Sequence, residues 1–236
     1  MVAAHTVEVW IRTRTNDTNV ICDVVIPCRD EALTLPGVLA DLPFRFRAIV
    51  VDNGSKDGTA EVAAELGARV VSELSPGYGA AVHHGILAST AEFVAVLDGD
   101  GPMTAHDLPR LLAAVRSGEA TMAIGWRRPV ERGVWPWCAR MGTKVLAWWL
   151  RSRSDFPIHD LAPMDVCRRE ELLALDVQDR RFGYPLELMI KASAAGWTIH
   201  ESRIDYRRRA ASTHSKVSGS ARGTARVIRD FAKVLR

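Results

Sequence analysis

No stretch of the chain approaches the ~20 consecutive apolar residues that a membrane-spanning helix needs, and no two of its cysteines form a Cys-x-x-Cys pair. The first absence excludes a helical span. The second leaves zinc-ribbon and thioredoxin-like readings without support. Cys22, Cys28, Cys138 and Cys167 are scattered and are expected as free thiols in a reducing cytosol. A Gly-x-Gly-x-x-Gly stretch is also missing, which argues against a dinucleotide-dependent oxidoreductase. Residues 1–19 lack the apolar segment of a secretory signal and read as a polar arm. Within that arm Val7, Val9 and Ile11 alternate like a short edge strand. A cytoplasmic location is therefore expected. Excess charge is small as well: a net charge of +3 is too little to imply nucleic acid, and no nucleic-acid partner is expected.

What is present is an ordinary soluble composition, 47% apolar and 25% charged over 236 residues. That length suits one α/β domain with a tail. Short β-branched runs at 20–26, 48–51, 68–72, 93–97 and 120–125 alternate with helix-like segments at 31–42, 59–66, 79–89 and 107–117. Strands separated by helices of this length predict a largely parallel sheet covered on both faces. The second half differs. It offers a Trp-rich helix at 135–150, an antiparallel strand at 163–166, a helix at 185–195, a strand at 198–206 and a terminal amphipathic helix at 221–235. Positive charge gathers late: residues 203–236 hold ten Lys or Arg against Asp205 and Asp230.

The sharpest feature is Val94-Ala95-Val96-Leu97-Asp98-Gly99-Asp100-Gly101, an apolar strand running into two aspartates separated by one glycine. In open α/β sheets, ligands sit beyond the carboxyl ends of strands. Two carboxylates there are suited to Mg²⁺ or Mn²⁺, which take carboxylate oxygens together with substrate phosphates. Such a cation would neutralise a departing nucleoside diphosphate. Gly99 removes bulk between the two candidate ligands. A second acidic turn, Asp52-Asn53-Gly54-Ser55-Lys56-Asp57-Gly58-Thr59, follows the next strand. Asp52 and Asn53 are candidates for contact with a base or ribose, and Asp57 for capping the following helix. Pro27, Arg29 and Glu31 close the first strand and are candidate nucleotide contacts. Gly77-Tyr78-Gly79 opens a helix whose amides could approach a phosphate or sugar.

Together these segments resemble glycosyltransferase family 2, in the branch of dolichyl-phosphate mannose synthase and bacterial polyprenyl-phosphate glycosyltransferases. The resemblance runs over residues 24–219: Ile26-Pro27 with Glu31, Val51-Asp52-Asn53-Gly54-Ser55, Gly77-Tyr78-Gly79-Ala80-Ala81 and Leu97-Asp98-Gly99-Asp100. It continues with Gly125-Trp126-Arg127, Asp160-Leu161, Phe182-Gly183 with Glu187, and Tyr206 to Arg209 with Ser215-Lys216. It implies a GT-A fold, a Rossmann-like three-layer α/β/α arrangement with a mostly parallel sheet, filling residues 20–206. Residues 20–125 form its nucleotide-sugar half and 126–206 its acceptor half, and a basic loop and helix follow at 207–236. It also implies that Asp98 and Asp100 bind metal and that Asp52 and Asn53 contact the nucleotide. The family often carries Asp at position 53, Gln at position 102 and Phe-Arg at 164–165; here Asn53, Pro102 and Met164-Asp165 stand instead.

Family 2 members usually invert the anomeric centre by in-line displacement of a nucleoside diphosphate, from a UDP- or GDP-sugar. A lipid phosphate acceptor is already ionised and needs no base; a hydroxyl acceptor needs one, with Asp160 and Glu187 the candidates. Glu187, beside Leu186, Leu188 and Met189, is expected to have a raised pKa. Arg127, Arg140, Arg207, Arg209 and Lys216 suit phosphate clamping, and His214 reads as a surface residue. Trp135, Trp137, Trp148 and Trp149, with the amphipathic 221–235 segment, suggest either peripheral contact with an anionic membrane at its inner face or packing on the protein or a second copy. A small soluble hydroxyl acceptor and a catalytically silent nucleotide-sugar-binding protein are the competing readings.

Overall fold

The computed structural model describes residues 19–131, 133–134, 137–153, 158–161, 163–209 and 221–235. The expected N-terminal edge strand, Trp135, His214, Ser215 and Lys216 lie outside the described residues. Seven strands form one sheet: β1 (Cys22–Cys28), β2 (Phe46–Asp52), β3 (Arg69–Ser72), β4 (Phe93–Leu97), β5 (Met122–Pro129), β6 (Met164–Arg168) and β7 (Ile199–Tyr206). Their order is β3-β2-β1-β4-β6-β5-β7. All neighbours run parallel except β6, which is antiparallel to both β4 and β5.

The inner strands read as continuous apolar runs because both faces are covered. On one face Val24 and Ile26 of β1 and Ala95 and Leu97 of β4 meet α1 (Leu35–Ala40), α2 (Thr59–Glu65) and α4 (Leu108–Arg116). On the other, Val25, Val94 and Val96 meet α3 (Tyr78–Ala88), α5 (Trp137–Arg153) and α7 (Tyr184–Ala194). This is the expected three-layer α/β/α architecture. A six-residue helix, α6 (Arg169–Ala174), was not anticipated: it is too short for its period to show, and Leu172 alone is buried deeply from it.

The terminal helix α8 (Ala221–Val234) lies on the protein itself. Phe231 and Val234 pack against the second core, and the buried Asp230 receives Arg181 Nε at 3.3 Å. Of the apolar face that the sequence offered to a membrane, Phe231 packs on the core while Leu235 stays 42% exposed.

At the amino end of β1, away from the acidic turns, the carboxylate of Asp23 is fully buried. Arg47 Nε and Nη2 donate to it at 2.7 and 3.0 Å, and the Ser89 hydroxyl and the Thr90 and Ala91 amides donate at 2.8, 2.8 and 3.0 Å. Burial pushes its pKa up, but Arg47 and these three donors outweigh burial and hold it below 3.8. The stability this gives is complete above the ordinary carboxylate range and is lost as pH falls through the lowered value. Asp23→Ala, which strands Arg47 and three donors, is expected to lose about 3–5 kcal/mol. Urea unfolding at pH 7 and pH 3 checks this, the deficit shrinking at the lower pH.

Candidate functional site

The chain passes from β1 to β2 and β3 on one side, then returns to place β4 on the other side of β1. That reversal falls at the carboxyl ends of β1, β2 and β4, the place where open α/β sheets bind ligands. The loops after β1 and β2 are laced together there. Asp30 N donates to Ser55 Oγ (3.0 Å), Lys56 N to Asp30 Oδ1 (2.8 Å), Glu31 N to Thr59 Oγ1 (2.9 Å) and Ala32 N to Asp57 Oδ2 (3.0 Å). Asp57 also accepts from Thr59 N at 3.1 Å, but Gly58 holds the N-cap position, so Asp57 shapes the turn before the helix instead of capping it as expected. Pro27 is half-buried at the end of β1 and Arg29 is exposed at the loop tip.

Asp98 follows β4 directly, and Gly99 turns the chain against the β1 loop. A Cβ on Gly99 would lie 2.5 Å from Glu31 Oε2 and 2.6 Å from Cys28 Sγ. The glycine therefore lets the acidic turn close onto Glu31, rather than merely separating its two neighbours. Burial, then Asp100, then Glu31 push the pKa of Asp98 up to about 7, against the pull of Arg127 and Arg209. Arg209 Nε donates to Asp100 Oδ2 at 2.6 Å, while Asp100 Oδ1 is buried with no hydrogen-bond partner. Among the described residues no three His, Cys, Asp or Glu side chains come together as a ready cage. Two carboxylates with an orphaned oxygen fit Mg²⁺ or Mn²⁺, hard cations that complete their shell with phosphate oxygens and water.

Several candidates are placed differently from expectation. The Asn53 side chain donates from Nδ2 to Glu73 O (2.9 Å) and Ser75 O (2.8 Å) and accepts from Gly77 N (2.9 Å). An aspartate could not donate to those carbonyls, which explains Asn at this position. The amide ties down the 73–77 loop, so its side chain is not open to a base. Asp52 Oδ1 accepts from Ser55 N at 3.2 Å and keeps the turn in shape. The amides at the start of α3 are also used: Gly79 N donates to Arg181 O and Ala80 N to Arg180 O. A Cβ on Gly79 would sit 2.6 Å from Asp179 O. Gly79 thus serves the close approach of the 179–181 segment, not of a phosphate.

Asp160 accepts from Arg127 N (3.1 Å), Nε (2.8 Å) and Nη2 (2.6 Å) and from Leu161 N (2.8 Å), and it is fully buried. Both of its oxygens are engaged in fixing Arg127 next to Asp98. Glu187 corrects the expected raised pKa. Burial raises it, but the Gln178 and Asp179 amides, donating at 2.9 and 2.6 Å, and Lys191 at 3.1 Å bring it below its ordinary value. Helix neighbours in sequence suggested an apolar setting; the two amides come from a preceding loop and Lys191 from the next turn of the same helix. Arg207 and Arg208 are 61% and 67% exposed, paired loosely with Asp205 and Glu131, and Arg140 is exposed on α5. Of the described cationic side chains, Arg127 and Arg209 are those that pull the Asp98 pKa back down.

One residue went unnoticed as part of this site. Asp165 of β6 stands opposite Val96 and is buried, its Oδ1 without a hydrogen bond. Burial, then Asp98, push its pKa up to about 8. Its departure from the family pattern was the available signal.

Residues 23–162 match the sequence model of glycosyl transferase family 2. A glycosyltransferase of Mycobacterium tuberculosis, described as uncharacterized, is 55% identical over 212 residues, covering 90% of this chain and 96% of the relative. The polyprenol monophosphomannose synthase of Mycolicibacterium smegmatis is 31% identical over 217 residues, covering 84% of this chain and 81% of that protein. Among solved structures, glucosyl-3-phosphoglycerate synthase from M. tuberculosis, in complex with Mn²⁺, UDP-glucose and phosphoglyceric acid, superposes with a TM-score of 0.73 at 20% identity. It covers 94% of this chain and 81% of that one. The shared architecture is the GT-A fold.

Proposed function

Since the chain belongs to glycosyltransferase family 2 and is a glycosyltransferase, we propose that it moves a sugar from a UDP- or GDP-sugar to a polyprenyl phosphate, with inversion and with Mg²⁺ or Mn²⁺. The observation that carries the reading is the Asp98–Asp100 turn at the strand-order reversal, faced by Arg127 and Arg209. Asp98 and Asp100 would hold the cation, which supplies charge neutralisation at the departing diphosphate. Arg127, locked by Asp160 through Nε and Nη2, would direct its charge and the far edge of its guanidinium toward the donor phosphates at no further ordering cost. Residues 20–125 then carry the donor and 126–206 the acceptor.

The acceptor follows from what the carboxylates are doing. Asp160 is spent on Arg127, and Glu187 is held ionised by loop amides in a structural role. With neither sequence-proposed base poised to take a proton, an acceptor already ionised at neutral pH suits the site better than a hydroxyl. The relative named as a polyprenol monophosphomannose synthase agrees with that choice.

An outward stripe on α5 supports contact with an anionic bilayer. Met141, Val145 and Trp148 stand on one exposed face, Trp148 at 62%, while Ala147 and Leu150 face the core. Arg140, Lys144 and Arg151 flank the stripe, and no acidic residue occurs between Trp137 and Arg153. An apolar face with Trp and only basic flanks suits a lipid interface. This assigns to α5 the role that the sequence divided with α8.

The test has two stages. One sugar nucleotide among UDP-, GDP- and dTDP-sugars should raise the melting temperature only with Mn²⁺ present. The labelled sugar should then pass into a lipid-phosphate product in anionic vesicles containing polyprenyl phosphate. No stabilising donor, or label found only in a water-soluble product, would overturn the reading.

A further inference from the structure

The cation that contacts Asp100 in this structure is the protein's own. Arg209 Nε lies 2.6 Å from Asp100 Oδ2, and the two side chains are only 22% and 20% exposed. The segment carrying Arg209 is docked for this purpose: Val130 N donates to Tyr206 O at 3.2 Å, and Arg207 N donates to Pro102 O at 2.8 Å. The second bond joins the chain after β7 to the turn that follows Asp100. Arg209 is thereby placed over the acidic turn while Arg207 and Arg208 point to solvent. Its charge offsets the mutual repulsion of Asp98, Asp100 and Glu31, with Arg127 as the other cation.

Resting on the metal reading above, we propose that Arg209 is a tethered counter-cation that masks Asp100 and releases it only when a divalent ion arrives with a diphosphate. Arg209 holds Asp100 Oδ2, so a cation arriving alone either takes the remaining Oδ1 beside a positive guanidinium or displaces a charge-assisted, half-buried bond and leaves the guanidinium with water in exchange. A diphosphate alters the balance, because its oxygens accept the same guanidinium fork in two bonds. The displaced arginine then gains a partner at the moment Asp100 changes its own. Metal and diphosphate affinities are thus coupled through one side chain, and by linkage the coupling is reciprocal. The donor enters as an ion–nucleotide unit, and without a diphosphate the acidic turn does not gather cations.

Manganese binding, followed by the electron paramagnetic resonance signal of free Mn²⁺, tests this without turnover. Wild type, Arg209→Gln, Arg209→Lys and Arg207→Gln are titrated with Mn²⁺ alone, then with saturating UDP or GDP. Arg209→Gln is expected to bind Mn²⁺ alone about tenfold more tightly than wild type, and to gain less from nucleotide. Arg209→Lys, which keeps a charge but not the fork, falls between. Arg207→Gln matches wild type. Equal Mn²⁺ affinity in wild type and Arg209→Gln overturns the mask while leaving the metal site intact. An equal rise in Arg207→Gln also overturns it, by showing a diffuse charge effect. Absence of Mn²⁺ uptake in every variant, nucleotide included, removes the metal reading and the mask together.

Discussion

Asp98→Asn is expected to raise the melting temperature of the metal-free protein at pH 8 while lowering kcat/KM by about 10³ or more. The opposite signs share a cause. In the folded chain, burial and the nearby Asp100 and Glu31 push the Asp98 carboxyl from 3.8 to about 7. A carboxyl with a raised folded pKa costs stability as pH rises from the ordinary value to the raised one, and the full cost is present above about 7. Asparagine keeps the shape and removes the charge, so that cost disappears. Losing a ligand to the divalent ion forfeits several kcal/mol of charge stabilisation at the leaving diphosphate, and each 1.36 kcal/mol is tenfold in rate. Mn²⁺ with nucleotide should no longer shift the melting temperature of the variant. Turnover within tenfold of wild type would remove Asp98 from the chemistry, and a lower melting temperature at pH 8 would contradict its electrostatic setting.

The Arg127–Asp160 pair should show the reverse, with stability and activity falling together. Asp160→Ala leaves a half-buried guanidinium without its bidentate partner, a loss of about 3–5 kcal/mol by urea unfolding. Donor affinity should weaken as well, because Arg127 loses the fork that aims it beside Asp98. The double variant Arg127→Met with Asp160→Leu is expected to recover most of the stability, since paired removal of a buried ion pair is commonly neutral, and to stay inactive. A donor-free stability loss with unchanged donor affinity would make the pair purely structural. If Asp160 were instead a proton acceptor, Asp160→Asn would abolish the acidic limb of the pH–rate profile; that limb should persist in its residual activity.

Much of this was readable along the chain because its causes are local. The strands β1, β2 and β4 are largely apolar runs that end in a polar turn. The pairing Asp98-Gly99-Asp100 announces itself because strand, turn and both carboxylates lie within eight residues. The roles that shifted on folding all depend on partners far away in sequence. Asn53 is consumed by residues 20 to 24 positions on, Asp160 by Arg127 33 positions earlier, and Asp100 is met by Arg209 109 positions later. Glu187 looked apolar from its helix neighbours, yet its carboxylate turns back to the 178–179 amides. Asp23 gave no signal of its burial, because its carboxylate is satisfied by Arg47 on another strand and by the 89–91 loop.

The order of elements, the family and the acidic turn at the tip of β4 were determined by the sequence alone, since hydrophobic period and turn chemistry act over a few residues. Which carboxylates remain open for a ligand, which are spent on holding an arginine or a loop, and which helix keeps an apolar face toward solvent were decided only by the tertiary structure. Hydrogen-bond saturation and burial are properties of a neighbourhood assembled from distant segments, and no local pattern carries them.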